Sequence, residues 1–122
     1  MYYIKINENS YPIEKVSGLF VDKDWSNRSS KTILLKMNYN EAKEIFKSGI
    51  NWSILEEREK PVFQRVNGEL VQTSTEILKQ EYDNSDYCIL GDIIIHPTGY
   101  ISVKFGKLTE LEEAYEMLLG GN

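Results

Sequence analysis

One stretch, residues 87–107, constrains the fold more than any other, because it specifies a β-hairpin with a defined register. Its turn is the His-Pro-Thr-Gly segment at 96–99. Proline presets φ at the second turn position, and glycine takes the left-handed position that closes a type I turn with a bulge. This turn sets His96 opposite Tyr100 and sorts the flanking residues onto two faces. The expected pairs are Ile95 with Ile101, Ile93 with Val103, and Gly91 with Phe105 on one face, and Ile94 with Ser102 and Asp92 with Lys104 on the other.

Length and composition indicate one soluble domain, residues 1–122. Hydrophobic residues make up 41% of the chain and charged residues 27%, which is ordinary for a globular protein. The net charge of −5 argues against a nucleic-acid binder, which would present a basic surface, and against docking on anionic lipid. The start of the chain lacks the pattern of a signal peptide, and no apolar run approaches the ~18 residues that span a bilayer. We therefore expect a cytoplasmic protein without a membrane partner.

Alternating apolar and polar residues predict strands along most of the remaining chain. The segments at 2–6, 11–21 and 32–37 each show this period of two, and Trp52 begins another alternating run that we expect to lie in the core. The segment at 73–82 fits either a helix or a strand, and we favour a strand that returns beside 52–57.

The dipeptide Asn67-Gly68 predicts a second β-hairpin, because it is a strong signal for a two-residue turn. Its flanking apolar residues are not sorted onto one face, since Arg65 would lie opposite Leu70 and Phe63 opposite Gln72. We therefore expect an exposed arm with only its base in the core.

Two short helices are predicted, at about 39–48 and 110–119. Asn38 can cap the first, and Gly49 is expected to end it in the left-handed conformation. A capping box of Thr109 and Glu112 begins the second helix, and the glycines at 120–121 stop it. Its apolar stripe is expected to face the core and consists of Leu111, Ala114, Tyr115 and Leu118.

Together these elements predict an α+β fold that is mainly β. The expected architecture is a twisted antiparallel sheet, small barrel or sandwich of about seven or eight strands, with the two helices covering open ends or one face. Because no glycine-rich phosphate loop joins a strand to a helix, the sequence gives no support for nucleotide binding.

The residues that could carry chemistry do not form a catalytic pattern. His96 is the only histidine, and Asp92 lies two pairs away on the same hairpin face, so a role in the turn is favoured over general base catalysis. Cys88 has no local base and is expected to be a core thiol. We therefore predict no catalytic residue and no enzyme.

The loop at 22–30 resembles the first half of a calcium loop, with Asp22 and Asp24 at ligand spacing. Asn27 replaces the glycine that such a loop requires, and Ile33 replaces the bidentate glutamate. We predict no metal site and no cofactor.

The same polar loop carries Trp25 and Arg28, which are a plausible anchor pair for a protein partner. The alternative is that Trp25 folds over the end of the sheet as a lid on the core, and the sequence does not separate the two. Asn67 and Gly68, at the tip of the predicted arm, are the second candidate, because an exposed hairpin can extend the sheet of a neighbour.

Four segments carry a resemblance to a known group of proteins: W-S-N-R-S-S-K-T-I, N-Y-N-E-A-K-E-I-F-K-S-G-I-N-W-S-I, D-N-S-D-Y-C-I-L-G-D-I and G-Y-I-S-V-K-F-G-K-L-T-E-L-E-E-A-Y-E-M-L. In these segments the chain resembles an uncharacterised group of small proteins encoded by phages and prophages of low-GC Gram-positive bacteria, often near tail or other late genes. The resemblance covers most of the chain except residues 58–81. It implies a bacterial cytoplasmic setting, with incorporation into a virion as a further option, and it transfers no catalytic or binding residue.

Two functions follow as expectations. The first is a non-enzymatic phage structural or assembly protein of the tail or baseplate region, which acts through contacts with itself or another protein. The second is a small phage-encoded inhibitor that binds one host protein, for example a defence component, with Trp25 and Arg28 as anchors.

Overall fold

The computed structural model describes residues 1–120, apart from the side chains at 19, 20 and 120. Strands dominate these residues, as the sequence predicts for a mainly β member of the α+β class, and two helices accompany them. In chain order the elements are β1 (Tyr2–Ile6), β2 (Asn9–Ile13), β3 (Lys15–Asp22), β4 (Arg28–Lys36), α1 (Tyr39–Ile45), β5 (Trp52–Val66), β6 (Glu69–Asp83), β7 (Ile89–Ile95), β8 (Tyr100–Gly106) and α2 (Glu110–Gly120).

The eight strands form two antiparallel sheets of four strands each. One sheet has the order β2-β1-β5-β6 and the other has the order β3-β4-β8-β7. Their inner faces share one apolar core, in which the Trp52 ring of the first sheet lies 4.7 Å from the Phe105 ring of the second. Trp52 is 1% exposed, which confirms its predicted place in the core. The remaining buried apolar residues are Ile4, Ile6, Ile13, Ile33, Leu35, Ala42, Phe46, Ile54, Ile101 and Val103.

The segment at 11–21 does not form one strand, and this prediction was wrong. The chain changes sheets at Glu14, so that β2 pairs with β1 and β3 pairs with β4. The buried Ile13 pairs with Tyr2, and Val16 pairs with the buried Ile33, so the core-facing positions change from odd to even numbers at the corner. The predicted strand ran across this break in the period of two, which marks the point where the chain leaves one sheet for the other.

The hairpin at 87–107 is formed by β7 and β8. The pairs nearest the turn are confirmed, and the amide of His96 donates to the carbonyl of Tyr100 at 2.9 Å. The turn is a short 3₁₀ turn in which Gly99 has φ of 84°, as expected, and Thr98 is also left-handed at 72°.

Two predicted pairs in this hairpin were wrong, because β7 contains a bulge. Gly91 and Asp92 together stand opposite Lys104, so the next pair is Leu90 with Phe105. An aromatic ring covers Gly91 at this bulge. The ring is that of Trp25, which lies 2.9 Å from the position that a Cβ on Gly91 would occupy.

The helices begin where the sequence places them. The side chain of Asn38 accepts from the amide of Asn40 at 2.8 Å and caps α1, but α1 ends at Ile45 and not near residue 48. Gly49 is left-handed at φ 83° within the loop that follows, where its amide donates to the carbonyl of Cys88. The predicted end of α2 is reached at Gly120, and Gly121 lies outside the described residues.

Candidate protein-contact surfaces

Trp25 lies flat against two glycines on the outer face of the second sheet. Its ring is half-buried, and a Cβ added to Gly106 would lie 2.7 Å from it. Two cations flank the ring: the guanidinium carbon of Arg28 is 4.9 Å from its centroid and the Lys104 ammonium is 5.4 Å away. Trp25 is therefore a lid on the outside of the sheet and not part of the apolar core between the sheets.

Arg28 is buried, with 7% of its surface exposed, and it holds the start of α2. Its Nη1 donates to Oε1 of Glu112 at 2.6 Å, its Nη2 donates to Oε2 at 3.2 Å, and Nη1 also donates to the carbonyl of Lys107. This two-pronged ion pair fixes both the position and the orientation of the carboxylate.

Glu112 also completes the predicted capping box. The amide of Thr109 donates to Oε1 of Glu112 at 2.9 Å, and the amide of Glu112 donates to the Thr109 hydroxyl at 3.2 Å. The hydrogen bond from Arg28 is the main reason that the pKa of Glu112 falls from 4.5 to about 2, and the amide of Thr109 adds to it. The carboxylate thus stays ionised far into the acid range.

A second ion pair fastens the loop that carries Trp25. Asp22 is buried, pairs with the Lys104 ammonium, and accepts from the amide of Asp24 at 3.1 Å. The contact with Lys104 is the largest reason that the pKa of Asp22 lies below its usual value. Asp22 therefore serves the loop as an internal anchor.

The predicted pair Trp25 and Arg28 is brought together on the outer face of the second sheet. Trp25 packs against its two glycines and Arg28 pairs with Glu112, so neither stands free on the surface in the way an exposed anchor does. Their role toward a partner stays a prediction, and the structure offers larger apolar surfaces elsewhere.

The first of these surfaces is α2 itself. The predicted apolar stripe exists, but its burial was wrongly predicted: Leu111 and Leu118 are each 81% exposed and Tyr115 is 62% exposed. Met117 and Leu119 are exposed beside them. An isolated helix of about eleven residues is marginal in water, so a helix of this kind gains most of its stability from a surface that covers its stripe.

The second surface is the arm, which we define as residues 57–79 of β5 and β6. The predicted strand at 73–82, its pairing with 52–57, and the exposed character of this hairpin are all confirmed. The turn at Asn67 and Gly68 is left-handed at both positions, with φ of 53° and 82°. From residue 58 to the turn the arm extends roughly 30 Å at the usual rise per residue.

Apolar side chains lie exposed on the arm instead of facing a core. Phe63 is 54% exposed, Leu70 67% and Ile77 62%. A shift in the pairing between Val62 and Phe63 interrupts the ladder midway. The arm carries four acidic and four basic residues, so it is neutral overall and presents no charge that would repel another copy. β6 is the edge strand of its sheet along its whole length.

The total exposed surface of the molecule is larger than expected for a compact monomer of its mass. The described structure exposes 8859 Å². A compact monomer of 14.2 kDa is expected to expose about 6,800 Å², so the excess is about 2,000 Å². An obligate interface buries about 1,000 to 2,500 Å² on each partner. The excess is therefore within the range that one subunit contributes to a stable assembly.

Polar groups also meet at two places outside these surfaces. His96 Nε2 lies 2.6 Å from the hydroxyl oxygen of Ser102, on the outer face of β8. Asp92 stands in the bulge of β7, and the polar partner of the His96 ring is Ser102. Cys88 is half-buried. Within residues 1–120, no group of three or more histidine, cysteine or acidic side chains is arranged to hold a metal ion.

A polar cleft beside the base of the arm brings Lys5, Ser53 and Glu81 together. Ser53 donates to Glu81 at 2.7 Å and Lys5 lies 3.4 Å from the same carboxylate, and these contacts hold the pKa of Glu81 below its usual value. This cluster is internally paired and ties β1, β5 and β6 to one another.

Comparisons with known proteins add no relative: no family model, no curated protein and no solved structure matches the chain. Among the described residues, no helix has both the length and the apolar character needed to cross a bilayer.

Proposed function

We propose that this protein is a non-enzymatic assembly protein that acts through protein–protein contacts, in the setting of a phage tail or baseplate. The observation that carries the proposal is the excess of about 2,000 Å² of exposed surface, together with the exposed apolar side chains of the arm and α2. The phage setting and a place in the bacterial cytoplasm or in a virion come from the resemblance of the sequence segments.

The arm supports the proposal because it has the properties of a subunit contact. It is long and neutral overall, it exposes apolar side chains, and its edge strand can add to the sheet of a neighbour. Its body-proximal end is rigid, since the paired strands continue directly into the core at Ile54. A rigid extension that carries Phe63 and Leu70 outward can reach a neighbouring subunit without a change in the body.

Substitution on the arm tests the proposal. We expect Phe63→Asp combined with Leu70→Asp to weaken self-association of the purified protein, because charge replaces apolar area at the contact. The matched control is Gln64→Asp with Gln72→Asp, which adds the same charge to polar positions of the same two strands. Sedimentation velocity at micromolar concentration measures the effect. If wild type associates and the variant with Phe63 and Leu70 replaced gives the same sedimentation distribution, the arm is not part of the contact.

The second candidate function is an inhibitor that binds a single host protein. The same apolar arm and α2 favour it, because both surfaces also suit a contact with a different protein. A monomeric wild-type chain that retains one host protein in a pull-down, and loses it on the Phe63 and Leu70 substitutions, would support this function over self-assembly.

A further inference from the structure

We propose that α2 of one copy docks in a groove between α1 and β7 of a second copy. This inference rests on the proposed function and assigns one of its contacts. The groove, called here the α1–β7 groove, has Lys43 and Lys47 along one wall and Leu90 and Ile93 along the other. This groove complements the exposed face of α2 in polarity and charge.

The lining of the groove includes apolar side chains. Phe46 is buried there, and Leu90 and Ile93 are half-buried on β7. On the same face of this edge strand as Ile93, Ile95 is 64% exposed. A surface of this kind favours an occupant with large aliphatic side chains.

The rim of the groove on the α1 side is basic. Lys43 lies on α1 and Lys47 lies two residues beyond its end, and the Lys43 ammonium lies 5.5 Å from the ring of Tyr39. The residues that line the groove also include one carboxylate, that of Asp92 on the opposite wall. An occupant that presents carboxylates beside apolar side chains therefore fits the α1 wall best.

α2 has this character. Its apolar stripe is flanked by Glu110, Glu113 and Glu116, all exposed, while Glu112 is already paired with Arg28. Its eleven residues span about 16 Å. Glu113 and Glu116 are about one turn apart on α2, so both carboxylates lie on one side of the helix.

The helix that fills the groove comes from another copy. In its own chain α2 is held at its start by Arg28, the first residue of β4, and β8 separates β4 from β7 in the sheet. Leu111 and Leu118 are each 81% exposed in this position, so the helix does not occupy the groove of its own chain. A contact between different surfaces of identical copies produces rings or filaments when it repeats, and a dimer when it is reciprocal.

A charge exchange tests this docking. One variant carries Lys43→Glu and Lys47→Glu, and the other carries Glu113→Lys and Glu116→Lys. Alone, each variant has like charges on helix and groove, so we expect self-association to weaken about tenfold or more. Mixed together, each helix meets a groove of opposite charge, so we expect association to return. Lys23→Glu with Lys36→Glu is the control, because it makes the same charge change at exposed lysines outside the groove.

Sedimentation velocity of the variants, singly and mixed, gives the readout, and thermal unfolding confirms that each is folded. If wild type associates but the charge-reversed variants associate equally, or if the mixture does not recover, the docking is overturned while assembly through other contacts stands. If wild type is a monomer under the same conditions, both the docking and the self-assembly fail.

Discussion

At the scale of single residues, two glycines make room for the ring that closes the outer face of the second sheet. Trp25 approaches Gly106 so closely that a Cβ there would lie 2.6 Å from Cδ of Arg28 and 2.7 Å from the ring. The stack of Trp25 on Arg28 then sets the guanidinium where it meets Glu112. The position of α2 thus depends on a missing side chain in β8.

A methyl group at Gly106 tests this dependence. We expect Gly106→Ala to lower the free energy of unfolding by about 1–3 kcal/mol, because the ring and the arginine stem must both move. Gly18→Ala is the matched control, since a Cβ there meets no atom within 4 Å. Denaturant unfolding of both variants gives the comparison. Equal stability of the two variants would contradict the close packing described.

The ion pair between Arg28 and Glu112 predicts an acid-sensitive helix. The pKa of Glu112 is lowered from 4.5 to about 2, so the pair stabilises the fold fully above pH 4.5 and its contribution is lost as pH falls toward 2. We expect circular dichroism to show a loss of helical signal across this range. Glu112→Gln should remove that part of the transition, whereas Glu116→Gln, on the same helix, should retain it. Identical acid profiles for the two variants would contradict the assignment.

At the scale of elements, the sequence predicts which segments form strands and helices better than it predicts what packs against them. Most of the strands, the two helix starts and the exposed arm follow from local signals such as Asn67-Gly68 and the box of Thr109 and Glu112, because those signals act within a few residues. The bulge in β7 has no such local signal, and the ring that covers Gly91 there belongs to Trp25, which is distant in sequence.

The contact surfaces are also only partly predictable from the sequence. The apolar stripe of α2 is legible in the sequence, but a stripe does not specify whether its own sheet or another molecule covers it. Trp25 and Arg28 lie against each other, and Arg28 pairs with Glu112 of the same chain. A salt bridge between residues this far apart has no local signature that sequence reasoning could use.

Removing the arm tests whether it is independent of the body. Glu57 pairs with Lys79, so an Asn-Gly turn can replace residues 58–78 and close the hairpin in register. We expect the unfolding midpoint to change little, because Trp52 and Ile54 remain in the core. Self-association should fall strongly. A shortened chain that does not fold would show that the arm stabilises the body, contrary to this account.

At the scale of the whole molecule, the protein is a small sandwich that exposes more surface than its mass requires. Its core is closed by aromatic contacts between the sheets, while the arm and α2 extend apolar groups into solvent. Surface of this extent is typical of subunits whose final packing is completed by neighbours. The proposed function follows from this exposed apolar surface, which contacts with neighbouring molecules would cover.

The most direct measurement is the mass of the wild-type protein in solution, determined by light scattering across the micromolar range. The account predicts a defined multiple of 14.2 kDa, or a larger polymer, that grows with concentration and is lost when residues 58–78 are excised. A mass of 14.2 kDa at every concentration would contradict the claim that the arm and α2 are contacts between copies.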